Sequence, residues 1–179
     1  EVRTGRSNAE IADRLSLSRH TDKTHVASMM ARLDVASGQQ IADWNGVVGA
    51  HWAAEQERND RLIKAFGEAA LAAAGARAGE QVLDVGCGCG DTSLALVYRV
   101  GVMGRVVGVD VSAPMLAVAR DRAGARENLT FIEADASRAE LPGRFELLYS
   151  RFGVVFCDDP AGAFAQLRKA MKHSSATAP

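Results

Sequence analysis

Two segments, VLDVGCGCG at 82–90 and VVGVDVS at 106–112, constrain this chain more than any other feature. The first is an apolar run carrying an acidic residue that leads into a loop with glycine at every second position. The second is an apolar run that ends in Asp110. Together they describe a nucleotide-type cofactor pocket. Gly86, Gly88 and Gly90 lack a Cβ, so the chain can turn sharply out of a strand and bring backbone N–H groups close to a ligand. Asp110 closes the second strand about twenty residues after the loop, the offset at which a carboxylate accepts hydrogen bonds from ribose hydroxyls in doubly wound α/β sheets.

Spacing narrows the ligand. The dinucleotide fingerprint is G-x-G-x-x-G, whereas Asp91 stands here where its third glycine would fall. A pyrophosphate would also crowd Asp84, two residues before the loop, because like charges at short range repel. A cationic ligand suits the carboxylate better. S-adenosylmethionine carries a sulfonium and an ammonium, and D-x-G-x-G-x-G resembles the first motif of the class I S-adenosylmethionine-dependent methyltransferases.

The resemblance runs from Trp44 to about Lys172, and within the class it is to enzymes of the ubiquinone/menaquinone-biosynthesis type. It covers the helical stretch HWAAEQERNDRLIKAF (51–66), the glycine loop, the segment SAPM (112–115), FIEADA (131–136) and FELLYSRFGVVF (145–156). It implies a Rossmann-like α/β fold with a parallel sheet, S-adenosylmethionine as cofactor and a small-molecule methyl acceptor. By position, Gly86, Gly88 and Gly90 lie against the methionine moiety, with Asp84 reaching it through the amino group or a water. Asp110 takes the ribose, Met115 packs on the adenine, and Asp135 with the backbone of Ala136 reads the adenine edge. Ser150 and Arg151 line the methionine end and the acceptor cavity. The reaction so implied is direct displacement at the sulfonium methyl, in which the protein mainly supplies proximity and alignment.

Several residues have plainer readings. Asp135 has a rival role in capping the next turn, and Met115 one in plain core packing. Cys87 and Cys89 form C-x-C, but no second Cys or His pair completes a tetrahedral set, so they read as small loop residues and no metal is expected. Three cysteines without a secretory pattern favour reduced thiols and a cytoplasmic location. His51 is the only histidine near the expected acceptor side, and it reads as a surface or packing residue, so no catalytic residue is assigned. Trp44, Trp52, Phe152 and Phe156 suit either an apolar acceptor site or the core.

The first forty residues differ in kind. Ser7 and Glu10 fit a capping box ahead of Ile11 and Leu15, and after the turn at Ser16–Ser18 the residues Val26, Met29, Met30 and Leu33 recur at helical spacing. The string at 5–37 resembles the C-terminal part of a LuxR-type helix-turn-helix DNA-binding domain, covering about half of it. That resemblance puts Thr21, Lys23, Thr24 and His25 on or near the DNA side of the second helix. Asp22 stands where the family has an apolar valine, and residues 1–40 carry six Lys or Arg against five Asp or Glu. The electrostatic footprint for DNA is therefore weak.

The expected organisation is a partial helix-turn-helix at 1–37, a small polar linker at 38–43, a methyltransferase-like domain at 44–172 and a disordered tail at 173–179. The element pattern predicts a helix over 51–74, strands at 81–85, 105–110, 129–133 and 145–150, and helices at 92–100, 113–124 and 159–172, which is an α/β alternation with a parallel sheet. The family sheet has seven strands, so a sheet of about four is expected here, with the fourth strand as an apolar edge that invites self-association. Weakened cofactor binding and little or no turnover follow from that expectation. No apolar run approaches the ~18 residues of a membrane span. A DNA-binding regulator with a methyltransferase-like sensor or scaffold is the alternative function.

Overall fold

A computed structural model describes residues 37–157 and 159–172 of the chain. Thr21, Lys23, Thr24, His25 and the segment 173–179 lie outside the described residues. The elements run, in order, α1 (Ser37–Asn45), α2 (Val47–Ala54), α3 (Gln56–Ala74), β1 (Gln81–Val85), α4 (Asp91–Val100), β2 (Arg105–Asp110), α5 (Ala113–Ala123), β3 (Leu129–Glu133), β4 (Leu147–Tyr149), a 3-10 turn (Gly153–Phe156) and α6 (Pro160–Lys169).

The four strands form one parallel sheet in the order β3-β2-β1-β4. Chain order reverses between β1 and β4, the kind of switch point outside which α/β sheets bind ligands. The sheet is buried on both faces, which is why β1 and β2 read as continuous apolar runs. On one face Val82, Val106 and Tyr149 pack with Leu96, Val97 and Val100 of α4 and with Leu71 of α3. On the other, Leu83, Val85, Val107 and Val109 pack with Phe145 and with Leu167 of α6.

Four expectations are corrected. The helix over 51–74 is two helices: α2 ends where Glu55 (φ −97°, ψ 19°) caps it through a bond to the His51 carbonyl, and α3 begins at Gln56. The break lets α2 dock on α5 while α3 docks on α4, two surfaces that one straight helix would not follow. Residues 38–43, expected as a linker, are helical within α1. The fourth strand is three residues, not six, and α6 stops at Lys169. Met171 then forms a parallel bridge with Phe145, fixed by Phe145 N–H to the Ala170 carbonyl at 2.9 Å and Lys172 N–H to the Phe145 carbonyl at 2.8 Å. The outer edge of β4 thus carries a pairing at its start. Among the described residues no helix is long and apolar enough to cross a membrane.

Candidate cofactor and active site

The loop after β1 is built from left-handed glycines. Gly86, Gly88 and Gly90 have φ of +70°, +54° and +80°, a region where a side chain costs roughly 1–2 kcal/mol per residue. Space is closed as well: a Cβ on Gly86 would lie 2.4 Å from the Cα of Gly153, and one on Gly88 would lie 2.8 Å from Cε of Met115. Met115 is buried, with its Cε against Gly88 of the loop.

The loop spends its donors on the protein. Gly86 and Cys87 N–H both donate to the Val109 carbonyl (2.8 and 3.2 Å), Gly90 N–H to the Cys87 carbonyl (2.9 Å), and Gly88 N–H to Oδ2 of Asp110 (2.8 Å). The sequence reading aimed these N–H groups at a ligand, whereas the fold turns four of them inward. An anion such as a pyrophosphate loses the donors that would hold it, so the charge preference of the site comes from its carboxylates.

Asp84 is completely buried at the end of β1. Thr92 Oγ1 and Ser93 Oγ of α4 donate to its Oδ2 at 2.7 and 2.6 Å, while its Oδ1 has no partner. The hydroxyl of Tyr149, the residue paired with Asp84 in register on β4, is likewise buried and unpartnered. Burial pushes the Asp84 carboxyl up to about 6 against the lowering effect of the two hydroxyls. An acceptor kept waiting at this depth fits a positively charged donor. Burial also raises Asp110, although bonds from the N–H groups of Ser112, Gly88 and Val111 favour its charged form. Among the described residues no group of three or more His, Cys, Asp or Glu could hold a metal. The Cys87 thiol is held well above its ordinary range and Cys89 is pushed up to about 11, both mainly by burial.

The turn after Asp110 is braced from outside. Ser112 N–H bonds to Asp110 Oδ1 at 2.9 Å, and the Ser112 hydroxyl, instead of capping its own helix, donates to the Trp44 carbonyl at 2.6 Å. Asn45 supplies the cap: its Oδ1 accepts the Ala113 N–H at 2.9 Å, and its Nδ2 donates to the Val111 carbonyl at 2.7 Å. Residue-type patterns gave no sign of this, because the partners lie more than sixty residues apart. Asn45→Ala is expected to lower stability by about 1 kcal/mol, the worth of a capping interaction, measured by chemical denaturation.

Asp135 makes a turn cap of its own, accepting both the N–H and the hydroxyl of Ser137 at Oδ1 (2.9 and 2.6 Å). Its Oδ2 lies 3.6 Å from Nε of Arg138. This is the turn-capping role open to it, and Ala136 follows it in the turn after β3. At the mouth of β4, Ser150 Oγ donates to the Val85 carbonyl at 2.8 Å and accepts Val154 N–H at 3.2 Å. This ties the end of β4 to the end of β1. Arg151 pairs with Asp91 at 3.0 Å. Gly88 thus touches both Asp110 and Met115, with Asp84, Gly86, Gly90, Asp135, Ala136, Ser150 and Arg151 at the same carboxyl-terminal edge of the sheet. His51 is exposed on α2.

Phe152 is the only described non-glycine residue in left-handed backbone (φ +73°), and its ring meets that of Phe66 edge-on at 6.4 Å. Trp44 and Trp52 form a similar pair at 6.1 Å. At a site with ordinary backbone, glycine is the less stable replacement, but here Phe152→Gly is expected to exceed Phe152→Ala in stability by roughly 1 kcal/mol, because only glycine relieves the strain. Paired thermal melts measure the difference.

Residues 82–174 match the methyltransferase domain family. The chain belongs to that family. Within the methyltransferase relatives, aklanonic acid methyltransferase DauC of Streptomyces sp. (strain C5) is 35% identical over 98 residues, covering 53% of this chain and 44% of the relative. Demethylmenaquinone methyltransferase of Staphylococcus aureus is 35% identical over 101 residues, 55% of this chain and 41% of the relative. The match therefore spans less than half the length of these curated methyltransferases. A solved S-adenosylmethionine-dependent methyltransferase from Mesorhizobium loti superposes with a TM-score of 0.51 at 30% identity, covering 59% of this chain and 47% of that one. Residues 1–45 separately match the luxR family of bacterial regulatory proteins. S-adenosylmethionine is the cofactor of this methyltransferase domain, and the residues present fit it: an unpartnered buried carboxylate oxygen at Asp84 for a cationic group, a glycine cradle that a Cβ would fill, and Asp110 at the end of β2.

Proposed function

We propose that the chain transfers the methyl group of S-adenosylmethionine to a small-molecule acceptor. The observation that carries this reading is the unpartnered Oδ1 of Asp84 beside a loop whose N–H groups are turned inward, which is a site poor in donors and rich in anionic acceptors. The bound cofactor supplies a methyl group already activated by its sulfonium charge. Asp84 accepts from the amino group, directly or through a water. Asp110 accepts from the ribose hydroxyls with the oxygens that already brace Gly88 and Ser112. Met115 packs on the adenine, Asp135 and the backbone of Ala136 read its edge, and Ser150 and Arg151 border the methionine end. The chain's part in the reaction is to align donor and acceptor and to exclude water, a contribution worth up to roughly 7–11 kcal/mol of barrier. Two curated relatives are named for small acceptors, aklanonic acid and demethylmenaquinone. The aromatic pairs Phe66–Phe152 and Trp44–Trp52 support an apolar acceptor here. Calorimetric titration of the full chain with S-adenosylhomocysteine tests the reading: saturable one-to-one binding is expected, and no heat from a demonstrably folded chain would overturn it.

A second reading is favoured by the luxR match over residues 1–45. In it the chain binds DNA through Thr21, Lys23, Thr24 and His25, and the methyltransferase domain serves as a sensor or scaffold. A mobility shift that weakens steeply with salt and is lost in Lys23→Ala would support it. A shift unaffected by that change would remove it.

A further inference from the structure

Three arginines far apart in sequence converge on α3. Arg99 of α4 donates to the Leu71 carbonyl at 2.8 Å. Arg151, after β4, lies so close to Gly67 that a Cβ there would sit 2.6 Å from its Nη1. Arg122 of α5 pairs with Asp60 at 3.0 Å. Asp60, Gly67 and Leu71 are spaced by seven and four residues, which places them along one stripe of a helix. A glycine in mid-helix has its reason here, since it leaves room for a guanidinium.

Arg122 does more than hold α3. Its Nη1 donates to the Cys89 carbonyl at 2.7 Å, inside the glycine loop, while its Nη2 serves Asp60 and stands 3.9 Å from Oδ1 of Asp91. The other oxygen of Asp91 pairs with Arg151 at 3.0 Å. Asp60 also accepts from the Gln56 amide, and its carboxyl is raised chiefly by burial and next by Asp91. The side chains of Arg122, Asp60 and Arg151 are largely screened from solvent, at 26%, 21% and 12% exposure. Partly buried, multiply bonded guanidinium pairs of this kind hold geometry in a way that exposed pairs do not.

We infer that Arg122 is a positioning residue for the cofactor: through the Cys89 carbonyl it fixes the second half of the glycine loop, and through Asp60 it makes the docking of α3 set cofactor affinity. The planar fork of arginine matters because two directions must be served at once, to a carbonyl and to a carboxylate. Neither Arg122 nor Asp60 was singled out by sequence, since nothing in their local context marks a pair sixty-two residues apart. The inference rests on the cofactor reading above and adds to it the control of affinity from outside the ligand's own contacts.

The test combines titration of the full chain with S-adenosylhomocysteine and amide hydrogen exchange without ligand. Arg122→Gln is expected to weaken binding on the order of tenfold, the effect of losing a charge-assisted bond. Exchange at residues 88–91 should become faster by a similar order, with that of β1 and β2 unchanged. Asp60→Asn should act in the same direction and less, and the double variant should be no worse than Arg122→Gln alone, because the two act through one contact. Arg122→Lys should recover part of the affinity by restoring the pair with Asp60. Wild-type affinity and wild-type loop exchange in Arg122→Gln, or additive losses in the double variant, would overturn the inference. Absence of binding by the wild-type chain would instead strike the cofactor reading, and the exchange data would still decide whether Arg122 holds the loop.

Discussion

Replacement of Asp110 by alanine is expected to abolish measurable cofactor binding, a loss of at least on the order of a hundredfold. The carboxylate has two tasks. In the proposed reading it accepts the ribose hydroxyls from the end of β2, and it already accepts Gly88 N–H at Oδ2 and Ser112 N–H at Oδ1. Alanine removes the ligand's acceptor and leaves two backbone donors of the site without a partner, so the loop that must receive the cofactor loosens as its anchor disappears. Asp110→Asn separates the two tasks. It keeps one acceptor oxygen, so binding should fall by less, and the loop should keep either its bond at Gly88 or its bond at Ser112. Titration of both variants with S-adenosylhomocysteine, each checked for folding by circular dichroism, reads the difference. Undiminished binding in Asp110→Ala would remove Asp110 from the site.

The second large effect is on pH dependence at Asp84. Its carboxyl stands near 6 in the fold against 3.8 for the free group. A raised folded value means that the native state binds this proton more tightly than the unfolded chain does. The contribution of Asp84 to stability is therefore fullest below about pH 4, declines as pH rises toward 6, and is constant above that; the change amounts to about 3 kcal/mol at most. The Asp84→Asn variant lacks this titration. Its stability relative to wild type should rise between pH 4 and 7 by up to that amount, measured by urea denaturation at each pH. Ligand binding reverses the preference, because a cationic amino group at Oδ1 favours the ionised carboxylate. Binding near pH 6 should then release a proton, seen as a calorimetric heat that varies with the ionisation enthalpy of the buffer. Affinity should fall as pH drops below 6 in the wild type and stay flat there in Asp84→Asn. A buffer-independent heat at pH 6 would sink this account.

The parallel sheet was legible because its strands are buried on both faces and bounded by glycines. The ranges 81–85, 105–110 and 129–133 read from sequence coincide with β1, β2 and β3. Asp110 at the end of β2 was legible for the same reason, because it closes an apolar run, whereas the packing of Met115 over Gly88 was not. The inward turn of the loop N–H groups was not, since a glycine pattern states where the backbone can bend and not where its donors point. The break at Glu55 was hidden inside one unbroken helical pattern. Asn45, Asp60 and Arg122 act across the fold on partners remote in sequence, and such residues look like ordinary surface positions until the chain is closed.

The corner between α1 and α2 carries a practical consequence for anyone dividing this chain. The luxR match runs to residue 45, and a cut placed at its end would look natural. Yet Asn45 and the Trp44 carbonyl hold Val111, Ser112 and Ala113, the turn directly after Asp110. Severed there, the methyltransferase-family segment would begin with the Val111 carbonyl, the Ser112 hydroxyl and the Ala113 N–H stranded beside Asp110, their partners carried away on the other piece. A cut ahead of α1 keeps all three of these bonds within one piece.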